Sequence, residues 1–533
     1  MGKVHLLDCT LRDGGYVNDW MFGKDNIKGF CAKIARTGIE FLEVGFIKGD
    51  DYNPDRAIFP TVDSFKTVIE PKDNNLKYVG MIDMNNPVDI NSIPKYDKTS
   101  IDGIRVIFKK DKLDAAYDYC AKIKELGYFL SVNFVSTDAY SDEEFIQGLH
   151  RFNELKPDAV SIVDTFGLIK RKEFLRMIYI ADNNLKDDII LAYHAHNNLQ
   201  QAFGNAESLV ELNLKRDVLI DACVFGMGRG AGNLNLELFA EYMNENYGAN
   251  YNIEPMLEIM DEYLTDIYRE KFWGYSLPLY LTATTGCHPN YAIYLAEKDS
   301  LTASEFRELL SSIPPKDKAK FSKERADEIY ASYMQNSVDD SNTLVELKEQ
   351  FADKKILMIA PGHSLKDYHD KIAEFTNNDD FIVISVNFLP EALKVDYVFS
   401  NNMKRFGKIK DKVTVPCILT SNVKDSSNDS YIVEYGKYAC DNFEIMDNSG
   451  IMLLRLLSGM GYEQVYIAGL DGYSDYYGKD YYVKELEYKF SNKAELRNKL
   501  ISEELKKLNK FIKLNFITPT NYDYGKISDR SLK

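Results

Sequence analysis

The sequence contains no apolar run that approaches the length needed to span a bilayer, and its opening residues, MGKVHLLDCT, lack the charged-then-apolar order of a secretory signal. Cysteine is sparse and shows no pairing pattern. Cys9, Cys31, Cys120, Cys223, Cys287, Cys417 and Cys440 form an odd set of seven without CxxC spacing. That argues against a disulfide framework or a zinc cluster and for reduced, mostly buried thiols. Positive charge is in deficit, with 65 bases against 82 acids and a formal charge of −17. A surface of that sign repels polyphosphates, so nucleic acid is not an expected partner. There is no internal repeat and no low-complexity tract. With 45% apolar and 28% charged residues, the 533-residue chain reads as folded, globular and cytoplasmic.

Two alternating patterns organise the chain. The first has eight apolar, β-branched runs separated by helical stretches: VHLLDC, FLEVGF, YVGMID, GIRVIF, FLSVNFV, AVSIVDT, IILAYHAH and VLIDACVFG. Eight strands, each followed by a helix, predict a (β/α)8 TIM barrel over residues 1–250, with its active site at the C-terminal strand ends. Asp13, Glu43, Asp83, Asp164, His194 and His196 all fall there. Residues 251–335 read as a helical extension and 336–353 as a polar linker with a short helix. A second pattern follows over 354–533: KKILMIAPG, FIVISVN, VDYVFSNN, TVPCILTSN and QVYIAGLD. Fewer strands and a glycine-containing first turn predict a Rossmann-like α/β domain.

His194 and His196 lie two apart on one strand, so both imidazoles can face the barrel mouth and share an ion. Asp13, at the end of the first strand, is the natural carboxylate to complete the set, and two imidazoles with a carboxylate suit a divalent ion that also binds substrate oxygens. The alternative is a pair of core histidines that hydrogen-bond internally. Arg12, beside Asp13, can hold an anionic oxygen on such an ion or can form a plain salt bridge. GMGRGAGN at 226–233 follows the eighth strand, where glycines allow an anion to approach the backbone or simply make a tight turn.

TLRDG at 10–14, DTFG at 164–167, HAHNN at 194–198 and GMGRGAGN together resemble the signature of the DRE-TIM metallolyases. That superfamily includes hydroxymethylglutaryl-CoA lyase, isopropylmalate and homocitrate synthases and 4-hydroxy-2-oxovalerate aldolase, and the resemblance, which spans roughly residues 1–300, is nearest to the aldolase branch. It implies Mn²⁺ or Mg²⁺ on Asp13, His194 and His196, with Asn233 as a further ligand or close support, and Arg12 stabilising a pyruvate enolate. The aldolases carry a base histidine shortly after TLRDG. Here Tyr16 or Asp19 would take that role, or the acceptor is not a simple aldehyde. Tyr275, in GYSLPLY, resembles a post-barrel tyrosine of those enzymes. Glu43 matches an acid on strand two and reads equally as a buried structural carboxylate.

In the second half, the order of motifs resembles bacterial sialyltransferases with a single Rossmann domain and their pterin-diphosphokinase-type relatives. The APGHSL turn could cradle a phosphate through backbone N–H groups. The likeness implies a nucleotide or nucleotide-sugar site lined by Gly362, Ser364, Asn387, Asn402, Ser449, Gly450 and Tyr473. No histidine follows His369, whereas the sialyltransferases use a late one as base, so binding without transfer is an open alternative.

The combined expectation is a metal-dependent class II pyruvate aldolase. It would join or cleave pyruvate and an aldehyde in surface-polysaccharide or unusual-sugar biosynthesis, as a homo-oligomer without a membrane span. The alternatives are an acyl-CoA-dependent Claisen-type synthase, disfavoured by Gly15-Tyr16 where the synthases carry Glu-Gln, and a non-catalytic nucleotide-sugar-binding protein with a relic barrel.

Overall fold

The structure is a computed structural model that describes residues 2–49, 52–318, 320–424, 430–474, 480–482 and 493–525. The chain divides into two compact units, Met1–Ala292 and Ile293–Lys533.

In the first unit, β1 (Val4–Asp8), β2 (Phe41–Ile47), β3 (Lys77–Asp83), β4 (Gly103–Phe108), β5 (Phe129–Phe134), β6 (Ala159–Asp164), β7 (Ile190–Ala195) and β8 (Val218–Ala222) follow the eight apolar runs. Each pairs in parallel with its neighbours, and β1 closes the sheet on β8 and β2. This is the TIM barrel predicted from the sequence. The strands are buried on both faces, which is why their sequences run nearly continuously apolar. A two-residue strand, Ile58–Phe59, extends β2 at its outer edge.

The surrounding helices bury one stripe each. In the helix Asp142–Leu155 the buried residues are Phe145, Gly148, Leu149 and Phe152, at helical spacing. Ser141 and Glu144 start that helix with a reciprocal capping box. The connection from β3 to β4 departs from the predicted pattern: among the described residues it holds only a 3-10 turn, Ile90–Ser92. Pro87 and Pro94 flank that turn, and proline denies a helix interior its hydrogen bonds.

The second unit contains helices Ala303–Ser312, Lys323–Met334 and Ser341–Gln350, then a parallel sheet. Its strands are β9 (Lys355–Ile359), β10 (Phe381–Val386), β11 (Tyr397–Ser400), β12 (Cys417–Thr420), β13 (Ser430–Val433), β14 (Gln464–Ala468) and β15 (Lys513–Phe516), in the order β13-β12-β11-β10-β9-β14-β15. The sheet is Rossmann-like and gains two edge strands, β13 and β15, beyond the five read from sequence. The order in which successive strands are added reverses between β9 and β14, which opens a crevice at their C-terminal ends. All seven cysteines are buried free thiols. No helix among the described residues is long and apolar enough to cross a membrane.

Candidate active site

The site begins where β1 ends. Thr10 donates its backbone N–H and its hydroxyl to the Asp8 carboxylate, at 3.1 and 2.6 Å, and accepts from the Val224 N–H at 2.8 Å. These bonds tie the end of β1 to the loop after β8 and wind Thr10–Gly14 into a π-helical turn. The turn lifts Arg12 and Asp13 into the barrel mouth. The Trp20 indole then donates to the Arg12 carbonyl at 2.7 Å, and Gly15 is needed for that approach: a Cβ there would sit 2.0 Å from the Trp20 ring.

Asp13, His194 and His196 are all buried, and one donor atom of each lies within 4.8 Å of the others. His194 Nε2 is 3.9 Å from Asp13 Oδ1, and His196 Nε2 is 3.7 Å from Asp13 Oδ2. The Asn233 amide donates to Asp13 Oδ2 at 2.6 Å, which leaves the buried Asn233 Oδ1 without a hydrogen-bond partner among the described residues. His196 Nδ1 is likewise buried and unpartnered. Burial would raise the Asp13 pKa, but Arg12, then His196 and His194, hold its carboxyl well below the usual range. Burial pushes the His196 imidazole down to about 4, so it is neutral and has a lone pair to offer. An ionised carboxylate, an imidazole of that kind and an orphaned carbonyl oxygen fit a divalent cation.

A second buried group, Cys9, His194 and Asp221, has comparable spacing. It suits an ion less well, because burial drives the Cys9 thiol far up and keeps it protonated. Asp221 Oδ2 lies 3.0 Å from His194 Nδ1 and so turns the opposite ring nitrogen toward Asp13.

Behind the triad lies a ring of charge. Arg12 donates to Asp13 through Nη1 and to Glu43 through Nε, the latter at 2.6 Å. Arg105, fully buried on β4, stands 3.3 Å from Glu43 and donates to Asp221, which meets His194. The ring therefore closes on Asp13, and its three carboxylates outnumber its two guanidiniums by one. Desolvation would depress both guanidiniums, yet the carboxylates hold them firmly protonated.

The rim carries the remaining residues. Tyr16, 42% exposed, packs edge-on against Trp20 and Phe46. Asp19 is bonded to Arg56 at 2.8 Å on an exposed edge, which commits its carboxylate elsewhere. Asp164 caps its own turn by accepting from the Leu168 and Ile169 N–H groups, and Asp83 does the same for Asn85. Tyr275 is 56% exposed, and its ring neighbour is Tyr280 rather than any member of the triad. The structure thus gathers Arg12, Asp13, Glu43, His194, His196 and Asn233, with Tyr16 above them, and leaves Tyr275, Asp83 and Asp164 apart.

Three participants escaped the sequence reading. Arg105 and Asp221 are lone charges in apolar strands, and that incongruity was the available signal. His288 reaches Arg229 of the glycine-rich loop from 59 residues further along the chain.

In the second unit, a pocket at the strand-order reversal is lined by Gly362, Asn387, Asn402, Ser449, Gly450 and Tyr473, among others. Asn387 donates to Ser449 at 2.5 Å and accepts from Ser400 at 2.6 Å. At the Gly362–Ser364 turn, the Asp471 carboxylate accepts from both the N–H and the hydroxyl of Ser364, at 2.7 and 2.6 Å. Gly362 permits this approach, since a Cβ there would lie 2.5 Å from Asp471 Oδ2. The turn's donors are thereby engaged by a carboxylate of the protein itself.

The HMGL-like family model matches residues 3–261. A 4-hydroxy-2-oxovalerate aldolase from Geobacillus genomosp. 3 is 23% identical over 266 residues, covering 49% of this chain and 77% of that protein. An oxaloacetate decarboxylase from Mycobacterium tuberculosis is 22% identical over 240 residues, covering 44% of this chain and 67% of that protein. Among solved structures, the N-terminal domain of a Bacteroides vulgatus protein aligns with a TM-score of 0.47 at 24% identity, covering 55% of this chain and 96% of that one.

Proposed function

We propose, from the premise that the barrel unit is an HMGL-like domain, that it is a divalent-metal-dependent lyase acting between pyruvate and an aldehyde, with a 4-hydroxy-2-oxo acid on the other side of the reaction. The observation that carries this reading is the Arg12 guanidinium, fixed by Glu43 and Asp13 beside the Asp13–His194–His196 cluster. The names of the similar aldolases and decarboxylase support the same class of 2-oxo acid chemistry.

Asp13, His194 and His196, with Asn233 in support, would hold Mn²⁺ or Mg²⁺. Such a cation supplies Lewis-acid polarisation of a 2-oxo carbonyl. The chain's own groups do the rest. Asp221 fixes the His194 tautomer, and Glu43 aims Arg12 so that its remaining N–H groups donate to the 2-oxo oxygen as negative charge develops there. In the cleavage direction the C4 hydroxyl loses its proton and the C3–C4 bond breaks. Its electron pair stays with the 2-oxo acid fragment, which is then protonated at C3. Tyr16, where the aldolases carry their base histidine, has a phenol that burial keeps protonated, so it would relay the proton: its oxygen takes the C4 hydroxyl proton as its own phenolic proton passes to solvent at the exposed rim.

Arg12→Lys keeps the charge but loses the planar fork that serves two carboxylates and the substrate together. It is expected to lower kcat for pyruvate methyl-proton exchange by about 100-fold or more, as loss of one oxyanion donor does. Oxalate affinity should change much less. An unchanged kcat would reduce Arg12 to a salt-bridge partner.

For the second unit our reading is a nucleotide or nucleotide-sugar site in the pocket between β9 and β14, and a role for the whole chain in surface-polysaccharide or unusual-sugar biosynthesis. The charged lining residues are Arg405, Arg497, Glu444, Asp447, Asp471 and Asp480, so carboxylates exceed guanidiniums by two. A diphosphate therefore needs a divalent cation to approach. Calorimetry on the intact chain is expected to detect UDP-N-acetylglucosamine only with Mg²⁺ present. No heat with or without Mg²⁺ would end this reading.

A further inference from the structure

The glycine-rich loop holds a cation that the chemistry described above does not use. Arg229 is half-buried, and among the described residues it has no carboxylate partner at ion-pair distance. Its hydrogen-bond partner is the His288 imidazole, which burial and the Arg229 charge push down to about 3, so that the ring is neutral and accepts from the guanidinium. Phe166 packs edge-on against His288. The guanidinium carbon lies 5.7 Å from the centre of the Tyr16 ring, over the face of the phenol assigned to the hydroxyl proton. It is also near enough for its charge to act on Asp13 and His196. Lys48, 4.3 Å over Phe46 and 5.0 Å over Trp20, brings a second positive charge to the same aromatic cluster. Burying a guanidinium costs solvation that a neutral imidazole and an aromatic face return only in part, whereas an anion would return far more.

Resting on the aldolase reading, we infer that the aldehyde partner carries an anionic group, a carboxylate or a phosphate, and that Arg229, positioned by His288, is the residue that selects it. The pyruvate end is served by Arg12 and the triad, so Arg229 lies at the far end of the substrate, beyond Tyr16. A neutral aldehyde leaves the guanidinium unmatched.

The test uses the full chain with Mn²⁺ and three aldehydes: acetaldehyde, glyoxylate and glycolaldehyde phosphate. The wild type is expected to prefer one of the two anionic aldehydes to acetaldehyde in kcat/KM by on the order of 10- to 100-fold, the span of a charge-assisted hydrogen bond. Which one it prefers assigns the carboxylate or the phosphate. Arg229→Gln should erase that preference, Arg229→Lys should restore part of it, and the KM for pyruvate in methyl exchange should move far less. A preference for acetaldehyde in the wild type, a preference for anions that survives in Arg229→Gln, or a change confined to the pyruvate KM would each overturn the inference. A binding arm separates this outcome from failure of the aldolase reading. Calorimetry with 2-hydroxyethyl phosphate and with glycolate, which cannot react, should give a signal in the wild type that Arg229→Gln loses. Absence of methyl exchange with that signal intact would sink the aldolase reading alone. Absence of the signal, or its persistence in Arg229→Gln, would sink the anion site.

Discussion

Asp13→Asn is expected to leave the barrel folded and to abolish pyruvate methyl exchange. The substitution keeps the shape of the side chain and its bond to Asn233 but removes the one carboxylate of the triad, which faces His194 at 3.9 Å and His196 at 3.7 Å. Loss of an outer partner that merely orients a metal ligand costs 10- to 100-fold in affinity, so loss of an anionic ligand should exceed about 100-fold. Elemental analysis after dialysis against Mn²⁺ should find the wild type loaded and the variant bare, and solvent-deuterium incorporation into pyruvate should be absent in the variant. Chelator-treated wild type should behave like the variant until Mn²⁺ is returned. A variant that holds Mn²⁺ and exchanges protons would move the metal away from Asp13, with Cys9, His194 and Asp221 the next group to test.

The largest expected effect on stability comes from Arg105→Met. Arg105 is fully buried between Glu43 and Asp221, and both of those carboxylates are fully or almost fully removed from solvent. Methionine fills much of the same volume but leaves both carboxylates without their shared counter-charge. Breaking a buried pair from one side costs about 3–5 kcal/mol, and here one residue serves two partners. Urea denaturation followed by far-ultraviolet circular dichroism should show the barrel transition at markedly lower denaturant, and the soluble yield should fall. Arg105→Lys, which keeps the charge but not the fork, should lie between the two. If Arg105→Met matches the wild type, the carboxylates have taken up protons and the ring is not the charged structure described above.

The barrel was readable because parallel strands covered on both faces leave near-continuous apolar runs, and eight of these in series admit few other folds. What escaped notice was weak by the same criterion. The edge strands β13, SYIV, and β15, KLNF, are four residues each, and Lys513 and Asn515 interrupt the apolar character of the second. The helix expected between β3 and β4 is replaced by a proline-flanked turn. In the site, His194 and His196 declared themselves through their two-residue spacing, and Asp13 through its place at a strand end. Arg105 and Asp221 did not, because one charge within an apolar strand reads as an outward-facing exception, and only closure of the sheet turns it inward. Tyr275 was chosen from a local likeness, and its sequence neighbourhood did not carry it to the triad. His288 could not be read at all: no local pattern announces a side chain that meets its partner across 59 residues.

The closed ring of Asp13, Arg12, Glu43, Arg105, Asp221 and His194 also bears on how such a barrel can change over generations. Each guanidinium serves two carboxylates, so replacing Arg12 or Arg105 alone strands negative charge in a nearly dry interior, and only coordinated replacements avoid that penalty. Neutral drift through one substitution at a time is therefore blocked at the two guanidiniums on the floor of the site. The rim is under no such constraint. Arg229 meets a neutral imidazole and an aromatic face, and changing it strands no opposite charge. Descendants of this chain can accordingly exchange one partner molecule for another by altering the loop between β8 and the helix that follows it, while the machinery beneath stays as it is.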